Sequence, residues 1–121
     1  MAQVSPRFEV VIVQDRDTSR RFLVEYIVQI AERWSFTDES DAEGIRRLLV
    51  SIERNGPRGQ VVRSGVTELY EATYNVHRIA HAQDPDDPKT VYALLAYLEK
   101  DAEQGRAKAW CLLLRALGLI T

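Results

Sequence analysis

Residues 69–100 constrain the fold more than any other stretch, because strand-forming runs and a turn follow one another there. Residues 69–74 alternate in type with a period of two, Leu69, Glu71 and Thr73 against Tyr70, Ala72 and Tyr74. Residues 76–82 do the same, with His77, Ile79 and His81 against Val76, Arg78 and Ala80. Such alternation suits a sheet with one face buried and one face wet. Asp84, Pro85, Asp86, Asp87 and Pro88 form a turn. From Val91 to Leu98 the chain is nearly all apolar, as a central strand covered on both faces would be. A buried helix has the same pattern, and the flanking turn favours strand. The stretch reads as an antiparallel meander.

The rest of the chain is arranged to cover it. Residues 8–13 are short and β-branched, a first strand preceded by a frayed terminus over residues 1–7. Asp17 or Thr18 caps a helix whose buried face is Phe22, Leu23, Tyr26, Ile27, Ile30 and Trp34. Ser40 and Glu43 have capping-box spacing and open a second helix striped by Ile45, Leu48, Leu49 and Ile52. Gly56 and Pro57 end it, the glycine by accepting a left-handed conformation and the proline by its missing N–H. These two helices are expected to form an antiparallel hairpin. Residues 61–66 make a short strand at the sheet edge. Asp101 and Gln104 open a last helix lined by Ala109, Leu112, Leu113, Ala116 and Ile120, with Trp110 and Leu114 widening the stripe. An N-terminal strand, a helical hairpin, a meander and a C-terminal helix make the class α+β.

At 121 residues the chain reads as one domain, 1–121, able to bury a core without staples. No run approaches transmembrane length, the N-terminus lacks the apolar core of a signal peptide, and Cys111 has no cysteine to pair with. A cytoplasmic protein with no membrane contact is the expectation. A net charge of −2 argues against a protein that grips bare nucleic acid through phosphates alone. The charge is uneven, however: residues 61–88 carry two arginines against five acids, residues 89–121 five basic residues against three acids. From Ala109 onward the only charge is Arg115, so the last helix is either buried on most of its surface or offers an apolar patch to a partner.

No glycine-rich phosphate loop opens a helix, and no cofactor is expected. His77 and His81 would stand about 13 Å apart on a strand, so no metal site is expected either, and the three aspartates are turn residues. Cys111 reads as a small core residue. What remains is a polar strip: Arg63, Tyr70, Tyr74, His77, Arg78 and His81, with Tyr97 and Lys100 at the end of the last strand. Arg, His and Tyr are the inventory for metal-free RNA cleavage, in which a base takes the 2′-hydroxyl proton, a cation steadies the phosphate and an acid protonates the leaving oxygen. The other reading of the same strip is packed aromatics with ordinary exposed Arg and His.

The order of motifs resembles the RelE/HigB superfamily of toxin-antitoxin toxins, in its phage-derived HigB-like branch. The resemblance runs from Phe8 to Leu117 on Arg54, Asn55, Gly56 and Pro57, on Arg63, on Leu69-Tyr-Glu-Ala-Thr73, on His77-Arg-Ile79 and on Leu94-Leu-Ala-Tyr-Leu-Glu-Lys100. It implies a RelE-like fold, ribosome-dependent cleavage of mRNA, and a cognate antitoxin as partner, with the C-terminal helix as a further contact surface. By position it implies Arg78, Lys100 and His81 as catalytic residues and Arg63, His77 and Tyr97 as RNA-binding ones. His81 could act with Arg78 only from the same side of the strand, which strict alternation opposes. Thr73 stands where the family has an arginine, and Glu99 where it has the first of two lysines. Both replace phosphate-attracting charge, which favours a rival reading: a member without catalysis that binds a host or phage protein.

Overall fold

The computed structural model describes residues 8–13, 18–21 and 39–120. Along the chain these form β1 (Glu9–Val13), β2 (Thr18–Arg21), α1 (Glu39–Asn55), β3 (Gln60–Ser64), β4 (Glu68–Tyr74), β5 (His77–Gln83), β6 (Thr90–Leu98), a single 3-10 turn (Glu99–Asp101) and α2 (Ala102–Ala116). The strands make one six-stranded sheet in the order β2-β1-β6-β5-β4-β3. The expected meander is present, since β3, β4, β5 and β6 each run antiparallel to the next. β1 instead lies parallel to β6, Glu9 opposite Thr90, so the sheet is mixed and the class is α+β.

Thr18 does not cap a helix: Thr18–Arg21 is a strand, antiparallel to β1, where the open edge of β1 supplies backbone partners. The apolar residues 22–34 of the expected first helix lie outside the described residues, and so does the helical hairpin they would complete. The body and the end of the second helix are as expected. Ile45, Leu48, Leu49 and Ile52 recur at helical spacing and are all buried against the sheet. Gly56 ends it at φ 83°, its N–H donating to the Ile52 carbonyl at 2.7 Å. Its start differs from the reading, because Ser40 already lies inside the helix and Glu43 pairs with Arg46 and Arg47 at 3.0 and 3.3 Å.

The largest correction concerns the wet face, since helices cover both sides of the sheet. Val10, Ala72, Ile79, Val91, Ala93 and Ala96 pack on the α1 side. Val13, Leu69, Ala80, Ala82, Leu94 and Tyr97 pack on the α2 side, against Ala109, Trp110, Leu112 and Leu113. Alternation in β4 and β5 therefore separates two cores. β6 is buried on both faces, as its continuous apolar run indicates. Its pairing with β5 slips between Ala80 and His81, where Leu94 is skipped, and both Leu94 and Leu95 turn to the α2 core. Cys111 is exposed, contrary to expectation, because its neighbours Ala109, Trp110, Leu112 and Leu113 take the face toward the sheet. Asp101 makes no side-chain cap, since the chain enters α2 directly from the 3-10 turn.

The aspartate turn holds itself together. Asp84 accepts from the Asp86 N–H at 2.8 Å, and Asp87 accepts from the Lys89 N–H at 3.1 Å and the Thr90 hydroxyl at 2.8 Å. Gly59 is the other fixed point of the backbone. It sits at φ 95°, and a Cβ there would run into the Glu71 carbonyl on the neighbouring strand. Gly59→Ala is expected to lower unfolding free energy by at least about 1 kcal/mol from the left-handed conformation, measured by urea denaturation. Wild-type stability in that variant would show that the turn can be rebuilt. Among the described residues, no helix is long and apolar enough to cross a membrane.

Candidate functional site

The sheet pairing fixes which side chains can meet. Arg78 pairs with Thr73 on one side and Tyr97 on the other, and Arg63 pairs with Leu69, so Arg63, Thr73, Arg78 and Tyr97 share the α2 face. Tyr74 and Tyr70 pair with His77 and His81, and these four share the α1 face. Arg78 and His81 are thus on opposite sides of the sheet, as are Tyr97 and His77. The residues expected to form one catalytic strip are not brought together on one face.

Glu71 is the centre of the α2 face, and the sequence reading gave it no role. Its carboxylate is 4% exposed and accepts two hydrogen bonds from Arg106, at 2.9 and 2.7 Å, and one from the Tyr97 hydroxyl. Burial pushes its pKa up, but the Arg106 and Tyr97 hydrogen bonds and the charges of Arg106 and Arg78 outweigh it, holding the carboxyl below its usual range. Tyr97 is pushed the other way, by burial and then by the Glu71 carboxylate it bonds, so it stays a neutral donor.

Arg78 belongs to the same network. Its guanidinium lies 3.9 Å from Glu71 and 3.4 Å from Glu99, and donates to the carbonyls of Asn75 at 2.8 Å and His77 at 3.1 Å. The side chain is only 13% exposed. Two carboxylates and two guanidinium groups close the network. Lys100 is exposed on the adjoining 3-10 turn. Arg63 is exposed and stacks over the Trp110 ring, 4.4 Å from its centroid.

On the opposite face His81 is fully buried. Its Nε2 accepts the Arg58 N–H at 3.0 Å, which leaves the proton on Nδ1, bonded to the Ile79 carbonyl at 3.1 Å. Tyr70 stacks on it, with ring centroids 5.8 Å apart. Burial lowers the imidazole pKa to about 4, only partly offset by the Ile79 hydrogen bond. Near neutral pH this is an uncharged, enclosed ring. His77 is likewise buried on the α1 face.

A cleft of about 610 Å³ opens beside the end of β3, lined by α1 through Arg47, Leu48 and Ser51 and by Arg58, Thr73 and Tyr74. It is the size of a ligand or peptide-anchor pocket. In the sequence Thr73 reads as an alternating strand residue that stands where the resembled family has an arginine, and no motif marks Arg58. The signal for Glu71 lay in the alternation itself: it is in phase with Leu69, so a buried Leu69 implies a buried carboxylate that needs a cation. Compared with protein-family models, with characterised proteins and with solved structures, the chain matches none.

Proposed function

We propose that the chain is a RelE/HigB-like domain that works as a protein-binding module and not as a nuclease. The observation that carries this reading is the engagement of Arg78. A guanidinium that steadies a phosphate must be exposed and in excess of local negative charge. Arg78 is neither, lying between two carboxylates and two carbonyls. The histidine that would move the proton is sealed on the other face. Net negative charge further weakens attraction to an RNA-walled channel.

Ribosome-dependent mRNA cleavage by a toxin restrained by an antitoxin is the second reading, favoured by the placement of Arg63, Arg78 and Tyr97 on one sheet face. Purified protein incubated with ribosomes programmed with a defined mRNA separates the two. Intact mRNA at ribosome-saturating protein is the expected result. Cleavage by wild type that disappears in Arg78→Ala and Lys100→Ala would overturn the module in favour of the nuclease.

A further inference from the structure

β3 runs out before β4 does. Gln60 opposite Glu71 is the first pair of β3 with β4, and no described strand pairs with Ala72, Thr73 or Tyr74 on that side. The direction of their backbone groups follows from the turn. Asn75 and Val76 form a two-residue connection, with Asn75 at φ 55°, which makes Tyr74 and His77 a hydrogen-bonding pair. Tyr74 and Ala72 therefore aim their amides and carbonyls at β5, while Thr73 and Glu71 aim theirs away from it. The closeness of the Glu71 carbonyl to Gly59 agrees with that parity.

Continued in register, β3 would place Arg58 opposite Thr73. Arg58 has instead turned its N–H down to His81 on the α1 face. The Thr73 amide and carbonyl are thus left facing the cleft. Its walls are positive. Arg58 donates to the neutral Ser51 hydroxyl, and among the described residues Arg47 pairs with Glu43 alone, in an exposed contact that a ligand can displace at little cost. Glu71, at the margin, is already matched by Arg106.

We propose that this cleft takes an extended acidic peptide as an added strand opposite Thr73, with a carboxylate side chain between Arg47 and Arg58. The proposal rests on the binding-module reading and names the partner of that module. A peptide residue presents both the acceptor and the donor that Thr73 requires, at the spacing of a strand, whereas a phosphodiester linkage presents acceptors alone and an RNA's donors sit apart from it on ribose and base. Arg47 and Arg58 supply the preference for acidic side chains, and Ser51 and Tyr74 line the same space.

The test is a displayed random-peptide library selected on the full chain, followed by fluorescence polarisation with the enriched peptides. Enriched sequences should carry Asp or Glu among β-branched residues and lack proline. Their affinity should fall roughly tenfold or more in Arg47→Glu/Arg58→Glu and in Thr73→Pro, which removes an outward N–H at an edge where proline is tolerated. Thr73→Ala keeps both backbone groups and should bind as wild type. Failure to enrich any peptide, enrichment without acidic residues, or binding indifferent to the two arginines overturns the proposal while leaving the module reading intact. Single-stranded RNA that binds wild type and is lost with the same arginine substitutions overturns it in favour of a nucleic-acid ligand. Cleavage of mRNA on the ribosome, by contrast, removes the module reading whatever the peptides do.

Discussion

Arg106→Ala should destabilise the fold by about 3 kcal/mol, the low end of the range for stripping one partner from a buried ion pair. The loss falls on Glu71, because its carboxylate would remain 4% exposed with the Tyr97 hydroxyl and an Arg78 guanidinium 3.9 Å away. Removing the other partner should cost less. In Glu71→Ala the Arg106 side chain, 41% exposed, can turn to water, and Arg78 still has Glu99. The double variant should recover part of the Arg106→Ala loss, since no carboxylate is then left stranded. Urea denaturation of the three variants measures the order. If Glu71→Ala proves the more damaging single change, the carboxylate is doing something other than receiving Arg106.

The second large effect is with pH. His81 binds its proton at about 4 in the folded chain and at 6.5 when unfolded, so between those values the unfolded state takes up more protons. Stability from the neutral ring is therefore fully present above pH 6.5 and is lost as pH falls toward 4. Integrated over that window, the loss is about 3 kcal/mol. Glu71 has the depressed value of a paired carboxylate, so its contribution is present above the ordinary carboxyl range and disappears below it, under the histidine window. His81→Gln should remove the slope between pH 6.5 and 4 while lowering stability at neutral pH. An unchanged slope in that variant would place the titration elsewhere.

Much of this architecture is legible from local pattern. Ile45, Leu48, Leu49 and Ile52 announce α1, and Gly56 its end, because helix periodicity and the left-handed stop are properties of neighbouring residues. The continuous apolar run of β6 likewise reports cover on both faces. What local pattern misses is set by distant partners. Thr18 to Arg21 resemble a helix start until the edge of β1 offers hydrogen bonds. The α2 face of β4 and β5 looks wet because Glu71 and Arg78 are charged, and only Arg106, on a helix beyond the meander, shows how charge is buried there. The slip at Leu94 is invisible for a related reason: every residue around it is apolar, so no change of type marks the change of face. At the candidate site, alternation alone separates Arg78 from His81, and the structure places them on opposite faces.

The pairing of β1 with β6 carries a consequence for how the chain assembles. Glu9 lies opposite Thr90, so the first strand of this sheet in chain order acquires its inner neighbour only after nearly the whole sheet has been synthesised. β4, β5 and β6 need only short turns to find one another, and contacts local in sequence form fastest. The hairpins and α2 can therefore settle into a folded unit while β1 waits, its apolar residues Val10 and Val13 without a core. Insertion of β1 then becomes the step that closes both cores at once, since Val10 enters one and Val13 the other. A strand that stitches two cores in this way makes folding cooperative across the sheet, binding the fate of the α1 side to that of the α2 side.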